Sequence, residues 1–234
     1  MVEPLPSPSN LAQALRLNNW SRIRQLLGRT LRPDRCRLCL CPNANFAICA
    51  NCRENLPWLP DSKNYRRLFG TSIRCAFSYE FPINALIIQA KYHRDVGASI
   101  LLGSLLASCV NLDGPMPDFL VPIPMPWPRL LWRGHNHTVP MAQTLSAMLG
   151  IPLKTQLLVR KGWQRPQKGL TRPQRHLNLA HAFFVDGDIR DRYVTLVDDV
   201  STTGATLETA AKILLAGGAR RVDAWVVASA QRIL

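Results

Sequence analysis

The sequence is short of acid and has no long apolar run. Fifteen Asp and Glu stand against 29 Lys and Arg, giving a formal net charge of +14. Such a chain attracts polyanions: nucleic acid, phosphorylated metabolites or an anionic membrane face. A solvated basic surface without a dedicated partner has the same composition. No hydrophobic stretch approaches the roughly 18 residues of a membrane span. The longest candidates, residues 83–88 and 100–110, are short or interrupted by polar residues. Residues 1–10 are Pro-rich and lack the basic flank and apolar run of a signal peptide. The expectation is therefore a cytoplasmic protein with no membrane span. There is no internal repeat, and the five histidines show no metal-ligand spacing. What is present is enough apolar material for a core: hydrophobic residues make up 47% of 234. That length suits one α/β domain with a small appendage.

Three stretches differ in pattern. Residues 10–27 place Leu11, Ala14, Leu15, Ile23, Leu26 and Leu27 on roughly one helical face, with Ser9 or Asn10 as cap. Residues 1–29 are assigned to this helix. Residues 30–60 have little periodicity and clustered cysteines, so metal or disulfides are expected to hold them. Residues 71–234 alternate between strand and helix. Strands are predicted over 73–79, 118–123, 153–159, 193–197 and 222–228, and helices over 83–93, 96–110, 138–149 and 203–215. Gly150 and Gly217-Gly218 stop two of those helices. Residues 161–174 lack an apolar period and read as a loop. The alternation implies an α/β fold with a mostly parallel sheet flanked by helices.

The richest segment runs from Tyr193 to Thr206. An apolar strand ends in Asp198 and Asp199. Val200, Ser201, Thr202, Thr203, Gly204, Ala205 and Thr206 then lead into a helix. Open α/β sheets bind ligands at strand carboxyl ends, and a helix N-terminus offers unpaired N–H groups to phosphate. The hydroxyls add donors, and Gly204 permits close backbone approach. The two acids repel phosphate. They suit sugar hydroxyls or a bound Mg²⁺. A simple helix cap would need only one such residue.

Cys36-x-x-Cys39 and Cys49-x-x-Cys52 form paired knuckles. Four thiolates at that spacing fit a tetrahedral structural Zn²⁺. Two disulfides are the competing reading, which a cytosolic chain disfavours. Cys41 is an extra thiol, either a bystander or a substitute for Cys39. Cys75 and Cys109 lie in apolar segments and read as core.

Segment 193–206 closely resembles the signature with which type I phosphoribosyltransferases bind 5-phosphoribosyl-1-diphosphate (PRPP). The resemblance implies that Asp198 and Asp199 hold the ribose hydroxyls, that the loop through Thr206 holds the 5′-phosphate, and that Mg²⁺ rides on the diphosphate. It also implies an oxocarbenium-like ribosyl centre, served by positioning and charge. The ordered set of motifs is similar to the ComF/GntX-type, competence-associated branch. The knuckles come first, then LIIQAKY over 86–92, Val121-Pro122-Ile123-Pro124, and Arg133-Gly134-His135-Asn136. Last come Gln167 to Arg172 with Arg175, Asn178, Ala182 and Phe183. The branch usually has Phe-Asn-Gln where His135-Asn136-His137 stands here. The resemblance implies a zinc-ribbon-like module before a type I phosphoribosyltransferase-like domain.

It further implies diphosphate or lid roles for Lys91, Arg133, Asn136, Gln167, Arg172 and Arg175, and a link to DNA uptake and natural transformation. The expected partners are PRPP, single-stranded DNA and the DNA-uptake machinery. No segment is assigned to hold an acceptor base, so two functions stand side by side. One is a phosphoribosyl transferase. The other is a non-catalytic PRPP sensor or single-stranded-DNA clamp. In the clamp, Trp127, Arg129, Trp132, Arg133, Trp163 and Arg165 stack on bases and track phosphates. Packing of those tryptophans beneath the loop is the alternative.

Overall fold

A computed structural model describes residues 35–42, 47–60, 65–68, 70–110, 115–160 and 182–231. The amino-terminal helix predicted over 10–27 lies outside them, as do the loop predicted over 161–174, with Trp163, Arg165, Gln167 and Arg172, and the candidate Arg175. In chain order the elements are α1 (Ala50–Glu54), β1 (Tyr65–Leu68), β2 (Thr71–Ser78), α2 (Ile83–Tyr92), α3 (Val96–Ala107), β3 (Phe119–Pro122), α4 (Trp127–Arg133), α5 (Thr138–Leu149), β4 (Leu158–Arg160), β5 (Phe183–Val185), β6 (Tyr193–Ser201), α6 (Ala205–Ala216) and β7 (Arg221–Ser229).

Five strands form one sheet in the order β1-β2-β7-β6-β3. β1 pairs antiparallel at the edge, and the other three pairings are parallel. The mostly parallel sheet is as expected. Strand residues alternate between its two faces. Trp225 and Val227 of β7 join the core formed with α2, α3 and α5, whereas Ala224 and Val226 join the core formed with α6. Both faces are covered, which explains why β7 reads as a continuous apolar run. The cysteine segment shares the first of these cores: Cys36, Ile48 and Leu56 are buried with Leu86, Ile87 and Leu102.

Several boundaries differ from expectation. β6 continues past Val197 to Ser201, with Asp198, Val200 and Ser201 in register with Val226, Ala228 and Ser229 of β7. The strand therefore carries its acids inside the ladder. α6 starts at Ala205, because Gly204 stands at φ +79°, outside helical geometry. The strand predicted over 153–159 is broken. Leu153 bridges Leu120, and only Leu158–Arg160 pairs with β5. α4 has no counterpart among the predicted helices, because its apolar residues face solvent. Helix α5 spans 138–149 and ends at Gly150, at φ +70°, as predicted.

Candidate functional site

The carboxyl ends of β3 and β6 lie side by side, with Pro122 opposite Val197, and the loops beyond them enclose a cleft. Its volume is about 460 Å³. Lys91, Arg129, Arg133, Arg160, Asn136, His137, Asp198, Asp199 and Thr206 line it, together with Trp132 and the Ile123–Pro126 run. Six residues singled out in the sequence, Lys91, Arg133, Asn136, Asp198, Asp199 and Thr206, are thus brought together along one cleft. His137 and Arg160 carry no sequence signal for a pocket, and Arg129, singled out for nucleic acid, joins them in its lining. Arg160 arrives from a separate two-stranded ribbon, which periodicity cannot place there.

Asp199 is only 5% exposed. Its Oδ2 lies 2.6 Å from Lys91 Nζ and 2.8 Å from Nε2 of the buried His137. A carboxylate buried this deeply needs partners. Burial pushes its pKa up, but the His137 hydrogen bond and the Lys91 charge outweigh it and hold the group well below the usual carboxylate range. Asp198 moves the other way. Burial and then the neighbouring Asp199 charge raise it well above the usual value, although its Oδ1 accepts the Asp199 N–H at 2.9 Å. Adjacent acids pushed apart in this way divide their roles, one anionic and one near its proton.

The wall opposite is cationic. Arg133 is 9% exposed and lies over the Tyr92 ring at 4.6 Å. Its Nε is buried and has no hydrogen-bond partner among the described residues, and the same holds for Nδ1 of His137. Asn136 fastens two elements together. Its amide donates to the Ile123 carbonyl at 3.0 Å, and its Oδ1 accepts from Thr138 Oγ1 at 2.8 Å. This anchors the start of α5 to the end of β3. In the loop, Ser201 and Gly204 are buried, while Thr202 and Thr203 are exposed. The first α6 hydrogen bond runs from the Glu208 N–H to the Gly204 carbonyl, so the Thr206 and Leu207 N–H groups have no partner inside the helix, while the Ala205 N–H meets Thr203 Oγ1 at 3.4 Å.

Beside the cleft, Trp127 is 59% exposed and Trp132 68% exposed. The loop predicted over 161–174, beneath which they would alternatively pack, lies outside the described residues. Trp132 meets Tyr92 edge-on at 5.9 Å.

The sulfur atoms of Cys36, Cys39, Cys41 and Cys49 all lie within 4.8 Å of one another. That donor set fits a metal ion such as zinc. Cys41 lies inside this group of sulfur atoms, whereas Cys52 of the expected set does not. Cys52 is placed alongside, its N–H donating to Cys49 Sγ at 3.5 Å. Burial pushes the Cys36 thiol up, but backbone N–H groups of Cys39, Cys49 and Leu38 bring it down to about 6. All seven cysteines of the chain are free of disulfides. Cys75 is core as expected, and Cys109 is half-buried. No helix among the described residues is long and apolar enough to cross a membrane.

No family model matches the chain. It is 29% identical over 223 residues to the DNA utilization protein YhgH of Salmonella typhi, covering 90% of this chain and 91% of that protein. Against the protein of the same name from Escherichia coli K12 it is 29% identical over 220 residues, with the same coverage. It is 31% identical over 161 residues to competence protein F of Haemophilus influenzae, covering 65% of this chain and 70% of that protein. Among solved structures, the allosteric regulatory enzyme of purine biosynthesis aligns over 59% of this chain and 29% of its own, at 17% identity and TM-score 0.44. A purine phosphoribosyltransferase from Pyrococcus horikoshii aligns over 59% and 77%, at 23% identity and TM-score 0.34.

Proposed function

Because this chain belongs to the family of competence protein F, we propose that its cleft binds PRPP, or a related phosphoribosyl ligand, in the service of DNA uptake. One observation carries the reading. A buried arginine with an unpartnered Nε, two acids within the carboxyl half of β6 and a glycine-headed helix all line one cleft. Each suits a different part of the ligand. The loop through Thr206 offers N–H and hydroxyl donors to the 5′-phosphate. Asp198 and Asp199 face the ribose hydroxyls. Arg133, Arg129 and Arg160 supply cations for the diphosphate. Lys91 acts through Asp199, with which it is paired. Its ammonium has further donors for the diphosphate beyond this pair. Gln167, Arg172 and Arg175 retain their proposed lid roles from the sequence. Mg²⁺ would arrive with the diphosphate and supply charge neutralisation there, and Asp198, on losing the proton that burial favours, would help to hold it.

Transferase chemistry would break the ribosyl–diphosphate bond and form a bond to an acceptor; a clamp would stop at binding. Calorimetric titration with PRPP, with and without Mg²⁺, tests the shared step. Saturable binding strengthened by Mg²⁺ is expected. Absence of binding in both conditions would overturn the reading. Diphosphate release on adding candidate acceptors separates transferase from clamp.

A second reading is favoured by the exposed pair Trp127 and Trp132 with Arg129 between them on α4. This surface suits single-stranded nucleic acid, bases stacking on the indoles and phosphates meeting the arginine. Both readings place the protein in the cytoplasm. The cysteine cluster is assigned to Zn²⁺ as a structural site.

A further inference from the structure

The cysteine segment is fastened to one turn of the chain, and that turn borders the cleft. Arg37 sits inside the first knuckle, between Cys36 and Cys39. Its Nη2 pairs with Oδ2 of Asp95 and lies 3.4 Å from Oε1 of Gln89. Its backbone N–H donates to the Ala47 carbonyl at 2.8 Å, and the Cys36 N–H donates to the Cys41 carbonyl at 2.8 Å. The guanidinium is therefore held by the same loops that gather the thiols. Asp95 is equally fixed: its other oxygen caps α3 by accepting the Ala98 N–H at 3.0 Å.

Residues 89 to 95 form the end of α2 and the turn into α3. The Gln89 carbonyl accepts the His93 N–H at 3.0 Å and the Asp95 N–H at 3.5 Å. Arg37 clamps the two ends of this turn by their side chains. Between those ends, Lys91 reaches Asp199 and Tyr92 underlies Arg133. Arg94, at φ +53°, lies against Gly134, where an added Cβ would sit 3.4 Å from the guanidinium. One turn thus touches the thiol loops on one side and the cationic wall of the cleft on the other. A helix end is the part of a helix most ready to fray. Here an arginine from another segment closes it, its single Nη2 meeting both acceptors.

We propose that Arg37 is a positioning residue that couples the thiol cluster to the cleft. It fixes the last turn of α2 and thereby the seat of Lys91 on Asp199. The consequence for ligand affinity rests on the reading of the cleft as a phosphoribosyl site; the placement of Lys91 does not.

The test is acetylation of the full-length protein with a limiting amine reagent, followed by mass spectrometry. Lys212 on α6, remote in sequence and paired with Glu208, is the internal reference. In Arg37→Ala, Lys91 modification relative to Lys212 is expected to rise by about fivefold or more as local opening exposes the amine. Cys49→Ser, which disrupts the thiol cluster without touching Arg37, should give the same signature. Asp95→Asn keeps the α3 cap while weakening the pair, so it should give an intermediate rise even if Arg37→Ala folds poorly. Arg37→Lys should recover part of the protection. An unchanged Lys91 ratio in Arg37→Ala and Asp95→Asn, with only a lowered melting temperature, would overturn the proposal and leave Arg37 a plain stabiliser. A rise in Arg37→Ala but none in Cys49→Ser would overturn the coupling to the thiols. PRPP titration runs alongside. If wild-type protein fails to bind PRPP, the cleft reading fails, while the Lys91 ratio still decides the role of Arg37.

Discussion

His137 donates to Asp199 across 2.8 Å between two buried side chains, so the second acid of the strand is built into the protein before any ligand arrives. Lys91 shares the same carboxylate oxygen. Replacing His137 by Leu leaves a buried carboxylate with one partner fewer. The expected loss is about 1–3 kcal/mol of unfolding free energy, measured by urea denaturation. His137→Gln restores the residue usual in the related branch and keeps a donor, so it should recover most of that loss. Equal losses in both variants would show that ring packing, not the hydrogen bond, is what matters.

Asp198 should behave in the opposite sense. Burial and the Asp199 charge raise its pKa, so the folded state holds its proton more tightly than the unfolded state does. Its favourable contribution is complete below the ordinary value of 3.8 and is lost as pH rises through the raised folded-state value. Asp198→Asn removes the repulsion. Its melting temperature at neutral pH is expected to rise by about 2–4 °C, with the gain vanishing near pH 3. PRPP affinity should fall in the same variant. Calorimetry at several pH values checks both, and a stabilisation that persists unchanged at pH 3 would contradict the electrostatic cause.

The thiol cluster carries five cysteines for four metal positions, with Cys41 inside it and Cys52 beside it. Purified protein is expected to hold about one Zn²⁺ per chain. Cys36→Ser should abolish it, because Cys36 is fully buried at the base of the cluster. Cys41→Ser and Cys52→Ser should each retain the metal, and the double variant should lose it. Metal analysis by mass spectrometry decides this. Loss of zinc in Cys52→Ser alone would return Cys41 to the role of a bystander.

Gly103 tests the packing behind the site. It lies on α3 facing α5, and an added Cβ would stand 2.5 Å from the Met141 carbonyl oxygen and 3.0 Å from the Thr144 Cβ. Backbone cannot yield cheaply at that distance. Gly103→Ala is expected to cost about 1–3 kcal/mol by forcing the two helices apart. Because α5 begins beside His137, PRPP affinity should fall with it. A neutral effect on denaturation would mean that α3 and α5 sit further apart than described.

Much of the fold is legible in the sequence because its signals are local. The two-faced apolar run of β7, the helix from Thr138 to its Gly150 stop, and the acid-hydroxyl-glycine order after Leu196 each fit within a few residues. What escapes the sequence depends on partners distant along the chain. His137 has no metal-ligand spacing to mark it, and its carboxylate partner lies 62 residues on. Helix α4 escapes because Trp127, Leu131 and Trp132 point to solvent, leaving no buried face to impose a period. The strand predicted over 153–159 fails because Leu153 and Leu158 pair with different strands. The acids read as the start of a loop because polar residues seldom fill a central strand; here β7 keeps pairing through Ser201.

The surface of α4 gives the last prediction. Trp127 and Trp132 stand exposed beside the cleft, on a chain with a net charge of +14. Binding of single-stranded DNA is expected to be weak, tolerant of sequence and steeply dependent on salt. Each phosphate contact releases condensed counterions, so log affinity should fall against log salt with a slope of about 0.7 per contact. Base stacking on an indole is worth about 1–3 kcal/mol. Trp132→Ala should therefore weaken binding at every salt concentration without changing the slope, whereas Arg129→Ala should lower the slope. Because Arg129 and Trp132 also line the cleft, PRPP should compete with the oligonucleotide. Fluorescence anisotropy on a labelled oligonucleotide across a salt series, with and without PRPP, measures all three effects. Binding that survives high salt undiminished would refute the electrostatic argument. Binding unaffected by Trp132→Ala would move the nucleic-acid surface away from α4.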